Sequence, residues 1–135
     1  MSQIALAAMK NAYAPYSCFQ VGAALLTEGG DILPGCNVEN ASYGLTLCAE
    51  RTAVAAAVSQ GHQKYIGVVV ATNTSPPSSP CGVCRQVLHE FAPDLIVRLV
   101  NPTGETLTVN LADLLPMSFD KTELFQANDQ PSDAE

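Results

Sequence analysis

The sequence predicts an α/β protein, a three-layer α/β/α sandwich around one mixed five-stranded sheet. Stretches with apolar residues at helical spacing alternate with stretches at strand spacing. A Glu28-Gly29-Gly30-Asp31 turn joins two of the strand-like stretches into a hairpin. A short apolar run around Val68, Val69 and Val70 reads as a strand buried between helical layers. The length of 135 residues suits one domain, assigned to residues 1–125, and no internal repeat is present.

Residues 2–13 carry Ile4, Ala5, Ala8, Met9 and Ala12 at helical spacing. Pro15 ends this helix, because the residue before a proline avoids helical geometry. Residues 19–27 alternate Phe19, Val21, Ala23 and Leu25 with other residues and read as a strand, and 32–38 return as its hairpin partner. The polar stretch 37–44 admits a solvated-loop reading on composition alone. Residues 48–60 form a second helix, stopped by Gly61; its Ala-Val core is apolar all round, which suggests burial against the sheet and against neighbouring subunits. Residues 65–72 are a strand, 73–80 a Pro/Ser-rich loop, and 81–91 a third helix with Pro80 at its mouth. Strands at 95–100 and 105–109 flank an Asn101-Pro102-Thr103-Gly104 turn, and a short helix covers 111–115. Residues 126–135 are polar and acidic and read as a disordered tail.

Net charge is −7, with only six basic residues. A nucleic-acid binder needs a Lys/Arg patch against phosphate, so DNA and RNA are disfavoured as partners and a small uncharged molecule is favoured. No apolar run reaches the ~18 residues of a membrane span, and the N-terminal stretch lacks the basic start of a signal peptide. Five cysteines, an odd number, with no secretion signal point to a reduced, cytoplasmic setting rather than a disulfide scaffold.

Three of those cysteines carry chemistry. Cys48 opens the second helix, whose dipole favours a thiolate. Cys81 and Cys84, three apart, lie about 60° from each other on one face of the third helix. Together they offer three sulfurs from two helix mouths, leaving a fourth tetrahedral position open as in a catalytic zinc site. His89 is five residues beyond Cys84, about 140° further round, and points away. His62 follows a helix-stopping glycine and reads as a surface residue. Three thiolates leave a zinc site at net −1, so a nearby cation is expected; Arg51 suits that task, with Arg85 the spare candidate. Glu50, beside Cys48, is positioned for proton transfer near the metal without ligating it.

Cys48-Ala49-Glu50 followed by Pro80-Cys81-Gly82-Val83-Cys84 resembles the signature of the zinc nucleoside and nucleobase deaminases. Ala12-Tyr13-Ala14-Pro15-Tyr16-Ser17, Phe19 through Leu25, Gly35 through Arg51, Ser79 through Leu88 and Leu114-Leu115-Pro116 extend the likeness to the small homotetrameric, three-cysteine cytidine deaminases. The resemblance implies the cytidine deaminase-like fold and hydrolysis of cytidine and deoxycytidine to uridine and deoxyuridine plus ammonia, in pyrimidine salvage. It implies one Zn2+ per subunit on Cys48, Cys81 and Cys84, and a zinc-bound water that attacks C4 with Glu50 as proton shuttle. It further implies that Ala49 N–H and the Ser79 carbonyl orient the base and that Asn37 and Glu39 grip ribose hydroxyls. Val38, Ala41 and Tyr43 are also implied in nucleoside binding, Ala41 and Tyr43 across a subunit boundary, while Phe19 and a neighbour's Phe119 line the base pocket. Met117-Ser118 departs from the family's commoner Gly-Ala before Phe119. Alternatives on these residues are a deaminase of blasticidin S or another base, a nucleic-acid editor, and a non-catalytic zinc module.

Overall fold

Alternation along the strands sends successive side chains into two separate cores. The computed structural model describes residues 1–129. In chain order it contains α1 (Ser2–Met9), β1 (Val21–Thr27), β2 (Ile32–Cys36), α2 (Ala49–Ser59), β3 (Tyr65–Thr72), α3 (Gly82–Phe91), β4 (Ile96–Val100), β5 (Thr106–Asn110), α4 (Leu111–Leu114) and α5 (Lys121–Asp129). The sheet order is β2-β1-β3-β4-β5; only β3 and β4 pair in parallel. Ala23, Leu25, Val68, Val70, Val97 and Leu99 face one core, shared with Ala53, Val54 and Ala57 of α2 and Leu88 of α3. Ala24, Val69, Ala71 and Val100 face the other, under Ala5 and Met9 of α1. This is the expected three-layer sandwich, and the period of two explains why Ala23 and Ala24 serve opposite layers.

Helix α2, which bears Cys48 at its mouth, sits close to the sheet because β2 is smooth beneath it. A Cβ on Gly35 would lie 2.4 Å from the Ala49 carbonyl oxygen and 2.7 Å from the Ala53 nitrogen. Both are helix backbone and have no freedom to step aside. Gly35→Ala is therefore expected to push the first turn of α2 off the sheet, at a cost of about 1–3 kcal/mol in thermal unfolding. Wild-type stability in that variant would show that the approach is not tight. At the far end of α2 the chain reverses through Gly61 at φ 90, and the His62 N–H closes the helix onto the Ala57 carbonyl at 2.9 Å.

Several boundaries differ from the sequence expectation. Helix α1 stops at Met9 rather than 13, because residues 10–12 tighten into i→i−3 hydrogen bonds and Tyr13 leaves to pair with Val38. Val38 in turn pairs with Leu47, so 37–39 stay extended beyond the end of β2. Ala55 and Val58 are exposed in the single chain, which leaves that side of α2 open to a neighbouring subunit. Residues 121–129 form α5, where the sequence suggested that 126–129 begin a disordered tail; 130–135 lie outside the described residues. Among the described residues no helix is long and apolar enough to cross a membrane.

Candidate metal centre and active site

The two helix mouths meet. Cys48 caps α2, Cys81 caps α3, and Cys84 lies in the first turn of α3. Their sulfurs all fall within 4.8 Å of one another, with Cys48 Sγ 3.9 Å from Cys81 Sγ. Tetrahedral zinc with Zn–S bonds of about 2.3 Å sets its sulfurs about 3.8 Å apart, whereas a disulfide needs about 2.05 Å. All five cysteines are free thiols. The donor set and its spacing therefore fit zinc. The electrostatics agree. Burial pushes the Cys84 thiol far up, and Glu50 and Cys48 push it further. Burial also works against the Cys81 thiolate, but hydrogen bonds from the Cys84 and Val83 backbone and from neighbouring thiols outweigh it and bring Cys81 down. A cluster so loaded with negative or potentially negative groups is stabilised by a cation.

Glu50 stands in the first turn of α2, 4% exposed. Burial holds its carboxyl above the usual range, against the pull of the Cys84 thiol and the Arg51 charge. The Arg51 Nη2 donates to Cys48 Sγ at 3.7 Å and to the Thr46 carbonyl at 2.9 Å. Its buried Nε has no partner. His89 faces away from the sulfurs, toward Ser118, as its helical offset predicts.

A cavity of about 270 Å3 opens beside this cluster. Cys48, Ala49, Glu50, Ser79 and Cys81 line it, together with Phe19, Asn37 and Glu39. Extended geometry at 37–39 turns Asn37 and Glu39 the same way and Val38 the other. Asn37 is buried; its Oδ1 accepts from the Val21 N–H at 2.8 Å and its Nδ2 donates to the Phe19 carbonyl at 2.7 Å. Glu39 Oε1 accepts from the Tyr16 and Ser17 N–H groups at 3.0 and 3.1 Å, and Oε2 accepts from the Ser17 hydroxyl. The Ser17 hydroxyl foremost, then the two N–H groups, keeps the Glu39 carboxyl below its usual range. Val38, Ala41, Tyr43 and Phe119 are not brought to the wall of this cavity. Tyr43 is 76% exposed and edge-on to Tyr16, and lines a neighbouring hollow that shares Ser17 and Glu39.

Residues 1–100 match the cytidine and deoxycytidylate deaminase zinc-binding region. A cytidine deaminase of Sporosarcina psychrophila is 48% identical over 124 residues, 91% of this chain and 91% of its own length. The chain belongs to the cytidine and deoxycytidylate deaminase family. Among solved structures, a cytidine deaminase from Burkholderia pseudomallei superposes with a TM-score of 0.85 at 48% identity, covering 87% of this chain and 95% of that one. A blasticidin-S deaminase of Bacillus cereus is more distant, at 30% identity over 107 residues, 73% of this chain and 76% of its own length. The chain is thus a zinc-dependent deaminase, a hydrolase of carbon–nitrogen bonds.

Within this deaminase Ser17 and Thr72 escaped the sequence reading, and Arg85 serves otherwise than as the spare cation. Ser17 lies in a stretch that carries the resemblance, yet only the fold reveals its grip on Glu39. Arg85 is no surface arginine: it donates to the Pro80 carbonyl at 2.8 Å, the Leu114 carbonyl at 2.9 Å and the Ser79 hydroxyl at 3.0 Å. It pins the loop that leads into Cys81. Thr72, at the end of β3, accepts from the Ser78 N–H at 2.9 Å and holds the same loop from the other side. Adjacency to Cys84 was the one signal for Arg85; nothing in the sequence marked Thr72.

Proposed function

We propose that the chain deaminates cytidine and deoxycytidine, taking up water and releasing ammonia to leave uridine and deoxyuridine. One observation carries this reading: a single cavity is lined by the buried Glu50, by Cys48 and Cys81 of the three-sulfur cluster, and by the Asn37–Glu39 pair. Cys48, Cys81 and Cys84 would hold zinc, which would supply a nucleophile at neutral pH by lowering the pKa of bound water. Glu50 accepts the proton released there, passes it to N3 of the base and then to the departing amino group. The Ala49 N–H and the Ser79 carbonyl orient the ring. Arg51 offsets the negative charge of the sulfurs. Asn37 keeps one N–H and one lone pair, and Glu39 Oε2 keeps one acceptor site, beyond their bonds within the chain. These suit the hydroxyls of a ribose. An ionised Glu39 in the cavity wall repels phosphate, which favours a nucleoside over a nucleotide.

Tyr43 and Phe119 are 76% and 57% exposed. Their exposure supports a homotetramer in which Ala41, Tyr43 and Phe119 reach a neighbour's cavity. A cytoplasmic place in pyrimidine salvage accords with this substrate. Ultraviolet absorbance of cytidine, with zinc analysis of the same sample, tests the reading. The expected result is turnover of cytidine and deoxycytidine by protein holding one zinc per subunit, with deoxycytidylate, cytosine and blasticidin S left intact. Turnover of cytosine without cytidine would remove the ribose assignment.

A further inference from the structure

Helix α3 bears zinc ligands at its start and a different cluster toward its end. His89 is 9% exposed, and its Nε2 lies 3.0 Å from Ser118 Oγ and 3.5 Å from Asp120 Oδ2. A carboxylate only accepts, so we assign the imidazole proton to Nε2; the buried, unpartnered Nδ1 is then a bare acceptor. Nearly one turn earlier, Gln86 Nε2 donates to the Phe119 carbonyl at 2.7 Å. One side of α3 thus holds three consecutive residues, 118–120.

The residue before them is strained. Met117 has φ 50 and is fully exposed. Left-handed backbone is unfavourable for a residue with a Cβ, and it persists only where the surroundings over-determine it. Nothing packs on the Met117 side chain, so the bonds to 118–120 are what hold the turn. Their effect is directional: Ser118 and Asp120 turn inward onto His89, while the Phe119 ring turns outward.

We infer that His89, with Gln86, is a positioning residue: it latches the 117–120 turn onto α3 and so aims Phe119 at a neighbouring subunit's substrate cavity. This rests on the role proposed for Phe119 above. The latch couples the helix that carries Cys81 and Cys84 to Phe119, an aromatic ring that each subunit lends. Loss of the latch frees the ring without disturbing the sulfurs, so it weakens substrate binding and spares the chemical step.

The test uses the zinc-loaded oligomer and reads both kinetics and hydrogen exchange of 115–121 by mass spectrometry. In Ser118→Ala and His89→Leu we expect faster exchange confined to that segment. KM for cytidine should rise about 5–20-fold, with kcat within twofold and zinc unchanged. His89→Gln, which keeps a donor at similar reach, should restore most of the KM. Phe119→Ala should raise KM as much, and adding Ser118→Ala to it should raise KM no further, because the two act through one ring. Unchanged exchange in Ser118→Ala would overturn the latch whatever Phe119 does. Faster exchange with unchanged KM, while Phe119→Ala raises it, would leave a structural contact and overturn the positioning role. A silent Phe119→Ala would overturn the substrate role of Phe119, and the positioning inference with it, leaving the zinc and Glu50 reading intact.

Discussion

Glu50→Gln is expected to lower kcat for cytidine by about 10²–10⁴-fold, the usual worth of a positioned general acid–base group. Zinc content should not change, because Glu50 is not among the three ligands. The same variant should make the metal-free protein more stable near neutral pH, and the sign follows from burial. The Glu50 carboxyl is raised from 4.5, chiefly by desolvation. Below 4.5 the group is protonated in folded and unfolded chains alike and burial carries no charge penalty. As pH rises through the folded value, the unfolded chain ionises more readily, and wild-type stability falls relative to a neutral amide of the same shape. Thermal unfolding of chelated wild type and Glu50→Gln at pH 4 and pH 8 should show the variant's advantage only at the higher pH. An active variant with full turnover would remove Glu50 from the proton path. A variant that loses activity together with zinc would make Glu50 a ligand. A stability gain beside a loss of turnover is the mark of a group kept for chemistry and not for folding.

Much of this was legible in the sequence because it was written in periods. Leu25 and Ala23 against Ala24, and Val68 and Val70 against Val69, report a sheet with two covered faces. The three-apart spacing of Cys81 and Cys84 reports one helix face. The strand at 19–27 starts late, at Val21, for a reason that no periodicity contains. The Asn37 side chain takes the Val21 N–H and the Phe19 carbonyl and stands in for a strand partner. Composition marked 37–39 as polar; the fold shows that its polar groups are already half committed to residues 16–21. Helix α5 escaped because residues 121–128 are all exposed and leave no apolar stripe to read. The bond that Thr72 makes to Ser78 across the 73–80 loop and the one that Arg85 makes to Leu114 were not legible, because only packing determines which carbonyls or N–H groups come near.

Cys84→Ala is expected to abolish zinc binding and reduce turnover to background, and its stability should identify the metal's share. Cys84 is fully buried, and burial keeps its thiol protonated in the metal-free chain. There it acts as a small apolar residue, and its truncation costs about 1 kcal/mol, on the scale of removing a methylene-sized group. In the loaded protein the loss is greater, because a ligand bound only by the folded state stabilises it by about 2.7 kcal/mol at one hundred times its Kd. A chelator should therefore lower the wild-type Tm and leave the variant's Tm where it is. The two metal-free proteins should differ little. Cys48 and Cys81 alone, 3.9 Å apart at the sulfurs, provide two donors where zinc takes at least three from a catalytic site. Were the variant to keep one zinc per subunit, a replacement donor would have to come from the cavity wall, and the nearest acid there is Glu50. The carboxylate would then be occupied as a ligand and unable to carry protons, so this one metal analysis bears on both halves of the mechanism.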